Sequence, residues 1–348
     1  MIKVLVIDDS PLVRQLLSHM LNDAPDINVI ATAEDPYEAR TLIKQHNPDV
    51  LTLDIEMPKM DGIAFLRNLM KLRPMPVIMV STLTHKGAEV TLEALALGAI
   101  DFISKPKADL TNTLLEYKDE LIAKIRVANK SHVKATTKAP QIKPAQAHLS
   151  LKTDKVIAIG ASTGGTEAIQ RVITQLPANT PPIVIAQHIP AAFSLSFAKR
   201  LNSHAAINVI EAQGGETLEV GTAYLAPGNA HLIVEQRGGK LYTKLLETDP
   251  VNRHKPSVDV LFNSVAECIG QRAIGILLTG MGKDGAAGLL NLKKMGGYNL
   301  IQDQASSVVW GMPGAAAELN AQHENLHLDK ISGRLIQLLN TAKSSVKA

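Results

Sequence analysis

Apolar positions in the first third of the chain fall in short runs: Val4–Ile7, Val29–Ala31, Val50–Leu53, Val77–Val80 and Ile100–Ile103. Amphipathic stretches of helical length separate them, near residues 11–22, 36–46, 62–72 and 88–97, and a last one occupies about 110–128. Runs this short suit strands buried on both faces, and their alternation with helices predicts a doubly wound parallel sheet. From Asn129 to about Lys152 the periodicity stops in a stretch rich in Lys, Thr, Ala and Pro. Such a segment cannot bury enough surface to offset its ordering entropy, so it reads as a flexible linker. The pattern resumes at Lys155, with strand candidates Val156–Ile159, Ile183–Ala186, Ile207–Glu211, Ala223–Leu225, Ile274–Leu278 and Asn299–Gln302. His231–Glu235 and Lys240–Leu246 flank Arg237-Gly238-Gly239 and predict a β-hairpin, an antiparallel excursion from a mostly parallel sheet. The expected organisation is two α/β domains, 1–128 and 153–348, joined by a linker at 129–152.

Composition narrows the partners. Of the 348 residues 45% are apolar but only 3% aromatic, so the cores are built from Val, Ile, Leu, Ala and Met. A net charge of +3 makes no electrostatic case for nucleic acid or an anionic membrane. The single cysteine, Cys268, excludes an internal disulfide framework and reads as a small core residue of a helix over Val258–Ile269. The N-terminus carries no secretory signal pattern, and no apolar run reaches the ~18–20 residues that span a bilayer. A soluble cytoplasmic protein without membrane insertion is expected.

Three carboxylates fall at strand ends of the first domain: Asp8 and Asp9 after the first strand, Asp54 after the third. Open α/β sheets bind ligands there, and clustered carboxylates repel unless a cation, here a hard one such as Mg²⁺, lies between them. Ser81 ends the fourth strand and Lys105 follows the fifth. A nucleophilic carboxylate, a metal site, a hydroxyl and an ammonium together can accept a phosphoryl group. Singly, each Asp could be a helix N-cap, and Asp9-Ser10-Pro11 has the form of a helix start. The stretches Val6-Ile-Asp-Asp-Ser-Pro, Leu53-Asp-Ile-Glu-Met-Pro-Lys-Met-Asp-Gly and Ser104-Lys-Pro resemble a response-regulator receiver domain over about residues 1–125. The resemblance implies a flavodoxin-like (βα)5 fold and makes Asp54 the phosphoacceptor, served by a histidine kinase. It assigns Mg²⁺ to Asp8, Asp9, Asp54 and the Glu56 carbonyl, and phosphoryl oxygens to Ser81 and Lys105. Phe102, by its pattern a core side chain, becomes by the same likeness the aromatic that moves on activation.

In the second domain Gly160-Ala-Ser162-Thr-Gly164 follows an apolar strand and precedes a helix. It satisfies the nucleophile-elbow pattern, although a phosphate-binding glycine loop looks similar. A dinucleotide loop expects an acidic residue at the end of the next strand; here that strand ends in His188, which sits beside the loop in a parallel sheet and can take a proton from Ser162. Asp284, in Gly280-Met-Gly-Lys-Asp284-Gly, could cap the helix that follows it or hold the His188 ring.

Gly160-Ala-Ser-Thr-Gly-Gly, Gln187-His-Ile-Pro, His254-Lys-Pro-Ser-Val-Asp, Gly280-Met-Gly-Lys-Asp-Gly and Val309-Trp-Gly-Met-Pro-Gly resemble, in this order, the chemotaxis-type protein-glutamate methylesterases. The resemblance implies a triad of Ser162, His188 and Asp284 on a Rossmann-like sheet, with the Met281 N–H in the oxyanion hole. It implies hydrolysis of glutamyl methyl esters on the cytoplasmic domains of methyl-accepting chemoreceptors, often with deamidation of receptor glutamines, and no cofactor for that hydrolysis. Ile189 stands where Met is more usual and Gly314 where a basic residue is frequent; neither touches the chemistry. His254 and Trp310 read as loop or core residues. With both sites on one chain, the receiver is expected to pack over the Ser162 mouth until Asp54 is phosphorylated. The competing readings are a glutaminase without esterase activity, a nucleotide-binding regulatory module at Gly160–Gly165, and a receiver-driven DNA-binding regulator, which would need a basic recognition helix.

Overall fold

The structure is a computed structural model. It describes all residues except 58, 83, 106–110, 132–150 and 341–348, and the side chains of 85, 86 and 111–116 are likewise left aside. The chain divides into two compact units, Met1–Pro140 and Gln141–Ala348.

The first unit runs β1 (Ile2–Ile7), α1 (Pro11–Asn22), β2 (Ile27–Ala33), α2 (Pro36–His46), β3 (Val50–Asp54), α3 (Gly62–Leu72), β4 (Val77–Ser81), α4 (His85–Ala96), β5 (Asp101–Ser104) and α5 (Thr111–Lys130). All strand pairs are parallel, in the order β2-β1-β3-β4-β5. The predicted (βα)5 architecture is present. Strand β2 is longer than its apolar run because, at the sheet edge, it also includes the exposed polar residues Asn28 and Thr32. Helix α5 continues through Asn129 to Lys130, past the expected start of the linker; most of that linker lies outside the described residues. Helix starts follow local chemistry: Ser10, Asp35, Asp61 and Thr84 each accept a backbone N–H with their side chain at an N-cap. Ser10 rather than Asp9 therefore caps α1.

The second unit runs β6 (Val156–Ala161), α6 (Gly165–Ile173), β7 (Ile183–Gln187), α7 (Ala191–His204), β8 (Asn208–Glu211), β9 (Thr222–Leu225), β10 (His231–Arg237), β11 (Lys240–Leu246) and α8 (Val258–Ile269). It continues with β12 (Ala273–Leu277), α9 (Ala286–Lys294), β13 (Tyr298–Gln302), α10 (Met312–Glu318), β14 (Glu324–Leu326) and α11 (Leu328–Leu339). Its main sheet is parallel throughout, in the order β14-β13-β12-β6-β7-β9-β8. The antiparallel excursion is real but separate: β10 and β11 form their own two-stranded sheet through a Gly238-Gly239 turn. It is tied to α8 instead, because Val234 N–H donates to Ser264 Oγ and the Cys268 thiol to the Val234 carbonyl.

Helix α8 is the keystone of this unit. Val258, Leu261, Phe262, Val265, Ala266 and Ile269 are all buried in one core with strands β6, β7 and β12 and helix α9. Strand order reverses between β6 and β12: from β6 the chain passes outward to β7, and from β12 outward to β13. A crevice forms at such a point beyond the strand C-termini. In the first unit the same reversal lies between β1 and β3, where the three carboxylates sit.

Phe262→Ala should lower the unfolding free energy of the second unit by ~3–5 kcal/mol, since its fully buried ring would leave a cavity beneath the crevice. Trp310, the sole tryptophan, reports on this unit in urea denaturation followed by fluorescence. A loss below ~1 kcal/mol would mean that α8 is not packed as described.

Candidate active site

The register of the sheet brings the candidate residues of the second unit together. Ala161 pairs with Gln187 across β6 and β7, and the His188 N–H donates to the Ala161 carbonyl at 3.1 Å. Ser162 and His188 are therefore the first residues beyond neighbouring strand ends. On the other side, Ser162 N–H donates to the Thr279 carbonyl at 3.0 Å, so the serine lies between β7 and the loop leaving β12. Two glycines permit this. Gly164 has φ +76°, and a side chain there would also meet Val308; a Cβ on Gly280 would sit 2.8 Å from Ser162 Cβ and 2.2 Å from Met312 Sδ. Gln187 Nε2 donates to the carbonyls of Ser162 and His188 at 2.9 and 3.1 Å, fastening the two turns to each other.

His188 and Asp284 are directly bonded, Nε2 to Oδ2 at 2.9 Å, with side chains 8% and 1% exposed. Asp284 also accepts from Val258 N–H at 2.6 Å, Ser257 Oγ at 2.8 Å, Asn252 Nδ2 at 2.8 Å and Asp259 N–H at 3.2 Å. Burial pushes its pKa up, but the His188 bond and charge, Asn252 and Val258 N–H outweigh it and hold the carboxyl well below the usual range. The two sequence readings of Asp284 need one correction. It serves the N-terminus of α8, which is 26 residues back in sequence, and the helix that follows it starts instead from Gly285. An anionic carboxylate only accepts hydrogen bonds, so in the neutral imidazole Nε2 carries the ring hydrogen and Nδ1 the lone pair. Nδ1 is buried without a hydrogen-bond partner among the described residues. Met281 is half-buried in the loop between Gly280 and Gly282.

Several participants escaped the sequence reading. The His254 ring stacks on His188, centroids 3.7 Å apart and planes 15° apart. Asn252 bridges Asp284 and Asp259. Thr279 Oγ1 joins the Thr163 and Val309 carbonyls, bracing the elbow from below. The matching stretch His254-Lys-Pro-Ser-Val-Asp was the available signal, since it places Ser257 at a helix start.

In the first unit Asp8 and Asp54 are buried and Asp9 is exposed, with oxygens of all three within 4.8 Å of one another. Lys105 Nζ lies 2.8 Å from Asp54 Oδ2 and 3.5 Å from Asp8 Oδ2. Burial, with Asp8 beside it, raises the Asp54 pKa to about 6 despite the Lys105 hydrogen bond, and burial likewise raises Asp8. Ser81 Oγ is buried and accepts from Thr91 Oγ1 at 2.7 Å. Glu56 N–H donates to Asp54 Oδ1 at 3.3 Å, keeping its peptide beside the cluster. Phe102 is buried, with Lys124 Nζ 5.3 Å from its ring centre. Asp8 Oδ2 is buried and has no hydrogen-bond partner among the described residues. Held only loosely, by Lys105 at 3.5 Å, this oxygen beside two other carboxylates fits a hard divalent cation.

Comparison with known proteins agrees with this division. Residues 4–115 match the response regulator receiver domain, and residues 157–335 match the CheB methylesterase family. The protein-glutamate methylesterase/protein-glutamine glutaminase of Thiobacillus denitrificans is 52% identical over 344 residues, 97% of this chain and 96% of that protein. The protein of the same name from Nitrosomonas europaea is 51% identical, with 99% of each chain covered. The crystal structure of the Thermotoga maritima CheB methylesterase catalytic domain is 38% identical, with a TM-score of 0.52 over 53% of this chain and 98% of that one. The resemblance read from the motifs is thereby borne out: this chain belongs to the CheB methylesterase family and carries a response-regulator receiver domain ahead of the methylesterase domain.

Proposed function

We propose that the protein hydrolyses glutamate methyl esters on the cytoplasmic domains of methyl-accepting chemoreceptors, and deamidates receptor glutamines, under control of phosphorylation at Asp54. The observation that carries the hydrolytic reading is the bonded His188–Asp284 pair, whose orphan Nδ1 lies one strand from Ser162.

Ser162 Oγ attacks the ester carbonyl while its proton passes to His188 Nδ1. Asp284 stays anionic and balances the imidazolium through Nε2–H. The oxyanion is held by backbone N–H groups of the glycine-rich loops, Met281 first among them. His188 returns the proton to the departing methoxide, releasing methanol, and water then cleaves the acyl-serine by the same steps in reverse. With glutamine the leaving group is ammonia, so one site serves both activities, and hydrolysis needs no cofactor. A nucleotide cradle at Gly160–Gly165 is disfavoured, since the residue expected to hold ribose is a histidine engaged by Asp284.

In the receiver domain Asp54 is the proposed phosphoacceptor, supplied by a chemotaxis histidine kinase. Asp8, Asp9, Asp54 and the Glu56 carbonyl would hold Mg²⁺, which when bound neutralises charge on the phosphoryl oxygens. Lys105 and Ser81 would bind those oxygens, and Phe102 would respond to the change at Ser81. Phosphorylation would then relieve inhibition of the Ser162 site, a shift needing only a few kcal/mol of differential stability.

Methanol release from methylated receptor tests both halves of this reading. Ser162→Ala should lose about 10⁴-fold or more, because removing the nucleophile disables the triad as a unit. Acetyl phosphate with Mg²⁺ should accelerate the wild type and leave Asp54→Asn at its basal rate. A Ser162→Ala protein of wild-type activity would overturn the hydrolytic mechanism, and an Asp54→Asn protein still stimulated would overturn the phosphoacceptor.

The depressed Asp284 pKa also fixes a sign. A carboxyl whose folded-state pKa lies below its unfolded value adds stability above that value, ~3.9, and loses it as pH falls toward the folded one. The stability gap between wild type and Asp284→Asn should shrink as pH falls below about 4 in urea titrations. A gap that widens over that range would contradict the ionised, multiply bonded carboxylate.

A further inference from the structure

The turn before α8 touches both members of the His188–Asp284 pair. Val251 and His254 face each other with two backbone hydrogen bonds, Val251 N–H to His254 O at 3.1 Å and His254 N–H to Val251 O at 2.9 Å. The residues between them, Asn252 and Arg253, have φ of 53° and 69°. Two successive left-handed residues closing such a pair form the arrangement of a type I′ turn, which normally selects glycine at one position or both. Asparagine tolerates this region better than most side chains, whereas arginine gains nothing from it. Strain of this kind persists where surrounding contacts impose it, and it concentrates at functional sites.

The contacts that impose it are specific. Asn252 spends its side-chain N–H groups on Asp284 Oδ1 and Asp259 Oδ2, both at 2.8 Å. Both acceptors are largely buried carboxylates, and an amide between them supplies the hydrogens that each lacks toward the other. The last residue of the turn, His254, lays its ring flat against His188 at 3.7 Å. The His188 ring is thus bonded at Nε2 by Asp284 and covered on one face by the His254 ring.

Resting on the triad reading above, we infer that the Val251–His254 turn is a positioning clamp for catalysis: Asn252 fixes the Asp284 carboxylate, and the His254 ring holds His188 so that Nδ1 stays turned to the nucleophile. Both residues act through the His188–Asp284 pair. The clamp's contribution is to keep proton transfer ready at each turnover, so it acts on kcat rather than on substrate binding. Misplacement of a catalytic group by about 1 Å can cost 10²-fold.

Steady-state methanol release from methylated receptor, with thermal midpoints, tests the clamp in the full-length protein. His254→Ala should lower kcat about tenfold or more with KM within about twofold, and the flat ring of His254→Phe should restore most of it. Asn252→Gly accepts the left-handed backbone but removes the amide, so its kcat should fall by a similar factor with KM within about twofold, measured well below a thermal midpoint that the lost bridge between two buried carboxylates lowers. Wild-type kcat in His254→Ala or Asn252→Gly would overturn the clamp, as would His254→Phe no better than His254→Ala. Should His254→Ala fail to fold, the Phe and Gly variants still decide. Ser162→Ala run alongside separates the levels: if it kept full activity the triad reading itself would fail, whereas its inactivity beside unaffected turn variants would sink the clamp alone.

Discussion

The second domain is organised around one buried anion. A carboxylate withdrawn from water is costly unless its oxygens are filled, and Asp284 fills them with five donors: two backbone N–H groups and Ser257 at the start of α8, the Asn252 amide and the His188 ring. The N-terminal end of α8 favours negative charge, so the helix and the carboxylate stabilise each other. This end is itself pinned to the hairpin. His231 is fully buried, accepting the Ser257 N–H at Nδ1 and meeting the Asp249 carbonyl at Nε2. The orientation of His188 is thus the outcome of a network that runs through a helix terminus into a strand.

The two domains apply one architectural rule to opposite ends. Each places acidic residues beyond strand C-termini near a reversal of strand order, where backbone groups and loops converge. In the second domain five donors surround the Asp284 carboxylate, which is held ionised far below its ordinary range. In the first, Asp8 and Asp54 share one lysine beside the exposed Asp9, Asp8 Oδ2 makes no hydrogen bond among the described residues, and Asp54 is raised to about 6. A surplus of donors makes a fixed structural anion. A deficit makes a site that gains from an incoming cation and from chemistry at the carboxylate.

Much of this was legible in the chain. Apolar runs marked the five strands of the first sheet and the central strands of the second, because buried parallel strands need apolar residues on both faces. The edge strand β14, Glu324–Leu326, was invisible since it is short, polar and only partly buried. The hairpin was readable from Gly238-Gly239, but not its detachment from the main sheet, which depends on hydrogen bonds to α8 far along the sequence. Ser162 and His188 could be paired because parallel register makes successive strand ends neighbours. The service that Asp284 gives to α8 could not be read, since a capping rule looks forward to the next helix and this one lies behind. His254 looked like a loop or core residue and Asn252 gave no signal, because their roles are contacts with residues distant in the chain rather than a local motif.

The central claim is that Ser162 is made nucleophilic by a histidine that Asp284 holds from behind. A fluorophosphonate probe traps such a serine covalently, and peptide mass spectrometry locates the adduct. The account predicts modification of Ser162 in the wild type and a rate reduced by orders of magnitude in His188→Gln. An adduct elsewhere, or one formed on Ser162 equally fast without His188, would contradict it.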